Sequence, residues 1–295
     1  MAAPDLVLAG RVAIISGASE GLGLAIAEAY LRAGASVVLF ARRAARVDEA
    51  ARQLARCADG AAARVLALSA DVASADDTKR VVAAALERFG KIDILVNNAG
   101  VHGAKGSLDA VAWEDWASAV SVNLLGSALL VRAALPHLKS RRYGKIIQLS
   151  GGGATKPMPG MSAYAASKAA VVRLAETLAV ELAPWHIDVN CIAPGALNTR
   201  LLDDVLEAGA QAVGQAAHEA AQRQKDRGGV PLEVPAKLAV FLASPRSDGI
   251  TGKLIAAVWD DWESFPEHLR ELRESDVYTL RRIVARDRGF AWGDK

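Results

Sequence analysis

Residues 16–23 read Ser16-Gly17-Ala18-Ser19-Glu20-Gly21-Leu22-Gly23, between an apolar run at 12–16 and an apolar helical pattern. The glycines at 17, 21 and 23 have the spacing a dinucleotide-binding turn requires. Gly17 allows the tight turn, Gly21 lets a diphosphate approach the main chain, and Gly23 lets helix and strand pack closely. The diphosphate then lies over the helix N-terminus, where free N–H groups and the helix dipole favour an anion. Ser19, Glu20 and Leu22 complete the turn. Glycines also make plain structural turns; the place between an early strand and a helix is what favours the nucleotide reading.

Outward from this turn the chain alternates. Runs rich in Val, Ile and Leu occur at 12–16, 36–40, 64–70, 92–98, 144–150, 186–193 and 253–258. They lack strict two-residue alternation, as expected of strands buried on both faces. Helical patterns separate them at 21–33, 44–58, 74–89, 113–138, 163–183 and 233–242. Such alternation predicts an α/β fold: a Rossmann-like, doubly wound parallel sheet of seven strands with helices on both faces. Two stretches fall outside it. Residues 200–229, rich in Ala, Gln and Glu and closed by Gly228-Gly229, predict a helical lid over the substrate region. Residues 261–295 predict a C-terminal helical extension, with helical character at 266–275 and 275–287. The cofactor domain is therefore expected at 1–260. The aromatic-bearing extension is expected to pack on that domain, to form a subunit interface or to wall the substrate pocket.

Composition narrows the class. The 295 residues carry 35 Lys+Arg against 33 Asp+Glu, a net charge of +2, and only 5% aromatics. Neither a phosphate-binding basic excess nor a base-stacking surface is present, so no nucleic-acid partner is expected. Two cysteines, Cys57 and Cys191, predict neither a disulfide framework nor a metal site and suit a cytoplasmic setting. Met1 to Gly10 do not read as a signal peptide, and no apolar stretch reads as long enough to span a bilayer.

Three further patterns carry chemistry. After the second strand comes Arg42-Arg43, where a carboxylate would hold a ribose 2′-hydroxyl. Arginine suits a 2′-phosphate, which favours NADP(H) over NAD(H), while Glu20 would repel that phosphate. The alternative is a solvated arginine pair at a helix start. Asp71, followed by Val72, ends the third strand and can accept the adenine amino group; its structural alternative is a helix N-cap. Tyr164-Ala-Ala-Ser-Lys168 places a phenol and an ammonium on one helix face, and the ammonium is expected to lower the phenol's pKa toward neutrality. Such a tyrosine exchanges protons with a hydroxyl or carbonyl.

Together with Asn97-Asn98-Ala99-Gly100, Asn123 in Val-Asn-Leu-Leu-Gly, and Pro194-Gly195-Ala-Leu197-Asn-Thr199, these motifs make the chain resemble the short-chain dehydrogenase/reductase family. The resemblance covers roughly residues 11–258. It implies Tyr164 as general acid/base, Lys168 on the nicotinamide ribose, and Asn123 behind Lys168 in a water relay. It also implies Asn98, Ala99 and Gly100 on the adenosine side, with Pro194, Gly195, Leu197 and Thr199 securing the nicotinamide. Hydride would pass between nicotinamide and a secondary alcohol or ketone, in a homodimer or homotetramer.

One departure matters. The family's serine, thirteen positions before the tyrosine, falls on Gly151 here, with Ser150 one residue earlier. A Gly-Gly-Gly turn can bring Ser150 into that place; alternatively Ser150 only ends the strand. Substrate contacts are expected from Ser150, Gly151, Met158 and His102. Two other readings stay open: an epimerase or isomerase with transient redox, and a cofactor-binding protein of weak activity.

Overall fold

A computed structural model describes residues 6–293. The expectation for residues 1–5, and for the last two residues of the extension, lies outside them. Seven parallel strands form one sheet in the order β3-β2-β1-β4-β5-β6-β7. They are β1 (Val12–Ser16), β2 (Ser36–Ala41), β3 (Val65–Ser69), β4 (Ile94–Asn97), β5 (Gly144–Leu149), β6 (Ile187–Ala193) and β7 (Leu254–Ala256). The order reverses between β1 and β4, which opens a ligand crevice at the carboxyl ends of those strands. β1 and β5 are buried along their whole length, which is why both read as continuous rather than alternating apolar runs.

Helices cover both faces. On one lie α1 (Gly21–Arg32) and α2 (Ala44–Leu54), whose Ile26, Tyr30 and Leu54 pack under Ile15 and Leu39. On the other, α3 (Ala75–Phe89) meets a long broken helix: α4 (Trp113–Val120), a π-turn (Ser121–Leu125) and α5 (Gly126–Arg141). The run Trp113–Arg141 has the length and apolarity of a bilayer-crossing helix, contrary to the expectation that no stretch does. Here Leu130, Val131, Ala134 and Leu138 of that run are buried in the core. Next comes α6 (Ser162–Leu182), beside α5 on the same face. The insertion folds as α7 (Arg200–Val213), kinked at Gly209, and α8 (Gln215–Arg227). Then α9 (Glu233–Ala243) packs against α1.

The extension departs from the helical pattern. A 3-10 turn (Trp262–His268) and α10 (Leu269–Glu274) seat Phe265 and Leu272 in the core. From 275 onward, where a second helix is expected, most of the chain is irregular, with a single 3-10 turn at Ala285–Arg288. Its main-chain groups are taken by the sheet domain instead. Tyr278 O accepts from Leu254 N of β7 at 2.7 Å, and Ser275 O and Val277 O accept from Lys253 Nζ at 3.3 and 2.9 Å. Leu280 N donates to Glu176 at 2.6 Å, and Leu280 O accepts from Arg173. These bonds hold the segment along the sheet domain, and Tyr278, with φ of 59°, lies outside the right-handed helical region.

Candidate active site

The glycine turn is built by close approach. Gly17 and Gly21 hold φ of 63° and 61°, a region that disfavours side-chain-bearing residues. A Cβ on Gly17 would lie 2.8 Å from Ala99 Cα, and one on Gly23 would lie 2.6 Å from Gly17 O. Ser16 Oγ accepts from Asn98 N and Ala99 N, both at 3.0 Å. Asn98 Nδ2 returns bonds to Ser16 O and Gly17 O, again at 3.0 Å. Two strand ends are thus stapled around the cradle. Glu20, at the start of α1, makes no capping bond, so the helix N-terminus keeps free N–H groups for an anion. Thr199 completes the wall, its Cγ2 being 3.6 Å from a Cβ built on Gly21. Ser19 is half-buried and Leu22 is buried behind the turn. These features fit a dinucleotide.

At the second strand's end, Arg43 donates to Glu20 Oε1 at 2.8 Å. The pair neutralises the carboxylate expected to repel a phosphate, and leaves the exposed Arg42 guanidinium without a carboxylate partner among the described residues. Asp71 accepts from Ala73 N at 2.9 Å, while Ser74 caps α3 by accepting from Asp77 N. Val72 is buried against Gly126.

The candidate catalytic residues converge at the ends of β4 and β5. Lys168, reaching in from α6, donates to Leu149 O at 2.7 Å, and its Nζ lies 5.8 Å from the Tyr164 ring centroid. A Cβ on Gly100 would sit 3.4 Å from that Nζ and 3.3 Å from Asn123 Oδ1. Asn123 lies in the π-turn, a break in helical bonding of the kind found at functional sites. Its side chain accepts from Val101 N at 2.8 Å and donates to Val101 O and Ser167 Oγ, both at 2.9 Å. Ser127 Oγ binds its carbonyl at 2.9 Å. Leu197 O and Thr199 N bond to each other in the loop after Pro194-Gly195, and Gln224 of α8 ties Leu197 O to the lid.

The electrostatics run against the expected lowering of the tyrosine pKa. Burial pushes Tyr164 up to about 12 and Lys168 down to about 8. Met161, Leu202, Val205 and Val213 enclose the phenol in an apolar cluster, with Met158 at its edge. Desolvation there outweighs the ammonium, whose bond goes to a carbonyl.

Position 151 is decided by space. A Cβ on Gly151 would overlap the Tyr164 hydroxyl. Ser150 does not take the missing serine's place: its Oγ is buried without a hydrogen-bond partner, and its N donates to Ile192 O of β6. Backbone at Gly151 is fully extended, so successive residues face opposite ways and Gly151 is the one presented to Tyr164. His102, by contrast, packs edge-on against Tyr164, with ring centroids 4.6 Å apart at 83°. Sequence reading missed Ser16, Ser167 and the lid residues Leu202 and Val205. The lid pair carried a signal in its three-residue spacing; the two serines carried none.

A profile of the short chain dehydrogenase family matches residues 11–209. The chain belongs to this family. Among short-chain dehydrogenase relatives, dehydrogenase/reductase SDR family member 4 of Caenorhabditis elegans is 37% identical over 246 residues, 83% of this chain and 93% of the relative. The crystal structure of 3-ketoacyl-(acyl-carrier-protein) reductase from Brucella melitensis complexed with NADH matches with TM-score 0.72 at 32% identity, covering 84% of this chain and 97% of that one. An actinorhodin polyketide ketoreductase variant with NADPH matches at TM-score 0.76 and 28% identity, covering 83% and 95%. Short-chain dehydrogenase neighbours thus carry either nicotinamide dinucleotide, and the glycine cradle here supports one of that class.

Proposed function

We propose that the chain is an NADP(H)-preferring oxidoreductase that reduces a ketone to a secondary alcohol, with Tyr164 as proton donor. The observation that carries this is the meeting of Tyr164, Lys168 and Asn123 beside the glycine cradle, under an apolar lid. The nicotinamide, when bound, supplies or takes the hydride. Everything else is work for the chain. Asn123 fixes Val101 and so positions the β4 end against Tyr164. Leu202 and Val205 exclude water around the phenol. A phenol held near 12 is protonated at neutral pH, as a group that must give a proton to a developing alkoxide has to be. Lys168, near 8, still carries charge at pH 7 and stabilises the phenolate left behind.

Arg42 supports the NADP(H) preference, as the guanidinium left over once Arg43 has neutralised Glu20. The proposal extends to a small-molecule substrate, a cytoplasmic setting and a homodimer or homotetramer. NADPH oxidation across a panel of simple, cyclic and hydroxylated ketones tests the function: several should be consumed, and inertness toward all of them contradicts it.

A further inference from the structure

Three segments meet at Gly160, in the loop between β5 and α6. Its carbonyl accepts from Gly106 N, in the loop after β4, at 2.9 Å. The end of α7 lies against it: a Cβ built on Gly160 would be 2.5 Å from Ala212 O and 3.2 Å from Val213 Cα. Both are main-chain atoms, so no rotation of a side chain can make the room. A side chain at 160 would have to move either the loop or the lid. Gly160 also holds φ of 74°, but conformation is only part of its constraint. Gly209, at the kink of α7, has the same φ, and a Cβ there would meet nothing within 4 Å.

This contact sets how closely the lid comes down. Met161, the next residue, joins the apolar cluster around Tyr164 from the loop, and Val213 joins it from the lid; both are buried. Met158 and Ala212 pack at the edge of the same cluster. The gap between loop and lid is therefore fixed by main chain resting on main chain, a closeness that only a glycine permits. Bulk that a ketone carries beside its carbonyl has to share this enclosure with the Tyr164 phenol, its proton donor in the proposed reaction. A lid lifted by the width of a methyl group would admit more. Differences of that size in an apolar pocket are enough to decide between substrates.

We infer that Gly160 is a specificity-determining residue: it seats the lid at main-chain distance from the β5–α6 loop and so limits the bulk a ketone can carry beside its carbonyl. This rests on the oxidoreductase reading of the same site. Gly160→Ala and Gly160→Asn test it. Both add the Cβ, but asparagine tolerates a positive φ far better than alanine, so the pair separates contact from backbone strain. Two readouts are compared with the wild-type chain: hydrogen exchange of the amides around Ala212 and Val213, and NADPH-dependent turnover of butan-2-one and of 3,3-dimethylbutan-2-one. In both variants those amides should exchange faster. The ratio of kcat/KM for the branched over the linear ketone should rise about tenfold, the discrimination a methyl-sized change of space gives. Unchanged exchange at the lid in a folded Gly160→Asn overturns the inference, and so does a wild-type ratio in that variant. A shift confined to Gly160→Ala assigns the effect to strain and overturns it as well. Should Gly160→Ala fail to fold, Gly160→Asn decides alone. Absence of turnover with every ketone in all three chains breaks the oxidoreductase reading instead, while faster exchange would still mark Gly160 as the seat of the lid, so the two failures are distinct.

Discussion

Two buried lysines stand at opposite ends of the same strand. Lys145, at the start of β5, is fully enclosed and held by Asp188 and Asp248 at 2.7 Å each and by Ser247 Oγ at 3.2 Å. Lys168 meets the other end of β5, where its one hydrogen bond goes to the Leu149 carbonyl. Lys145 is a charge with its compensation built in, and it locks β5 to β6 and to the turn before β7. Lys168 is a charge with no carboxylate in reach among the described residues, and burial pulls its pKa down to about 8. A buried cation lacking an anion is unfavourable to folding and available to a ligand. The difference separates a structural ammonium from the one proposed to act in catalysis.

Substitution should break the comparison in opposite directions. The largest effect is expected from Lys168→Met on catalysis: NADPH-dependent turnover should fall by about 10³-fold, as when a group stabilising transition-state charge is removed. Lys145→Met comes next and acts on stability. It leaves Asp188 and Asp248 without their cation and should cost about 3 kcal/mol, read as a lower urea midpoint, with turnover per folded molecule retained.

A third effect sharpens the contrast. The folded-state pKa of Lys168 lies below its unfolded value, so its protonated form penalises folding. At pH 7 both states are charged and the penalty is complete; it fades as pH rises through about 8. Lys168→Met should therefore raise the urea midpoint at pH 7, the reverse of Lys145→Met, and its advantage should shrink between pH 8 and 10. The smallest effect is expected at the cofactor's far end. Arg42→Ala should weaken NADP⁺ binding relative to NAD⁺ by about tenfold, the loss of one charge-assisted contact, measured by fluorescence titration.

Much of this was legible in the chain. Val12 to Gly23 announced the first strand, the turn and the helix, and continuous apolar runs gave all seven strands to within a residue or two at their ends. Local chemistry decides those features, so local reading finds them. What escaped depends on distant residues. The Tyr164-x-x-x-Lys168 spacing suggested a lowered phenol pKa, whereas Leu202 and Val205, nearly forty residues on, bury the ring and raise it. The choice between Ser150 and Gly151 turned on which way an extended backbone faces, which the order of the residues does not reveal. At 275–287 the charge pattern suited a helix, and Lys253, Leu254, Arg173 and Glu176 took its main-chain bonds.

In the proposed reduction Tyr164 gives the proton. Tyr164→Phe removes the hydroxyl and keeps the ring that packs against His102, Leu202 and Val205. With the best ketone from the NADPH panel, turnover should fall by about 10²-fold or more, with NADPH binding by fluorescence unchanged. Turnover at the wild-type rate in a folded, NADPH-binding Tyr164→Phe would contradict it.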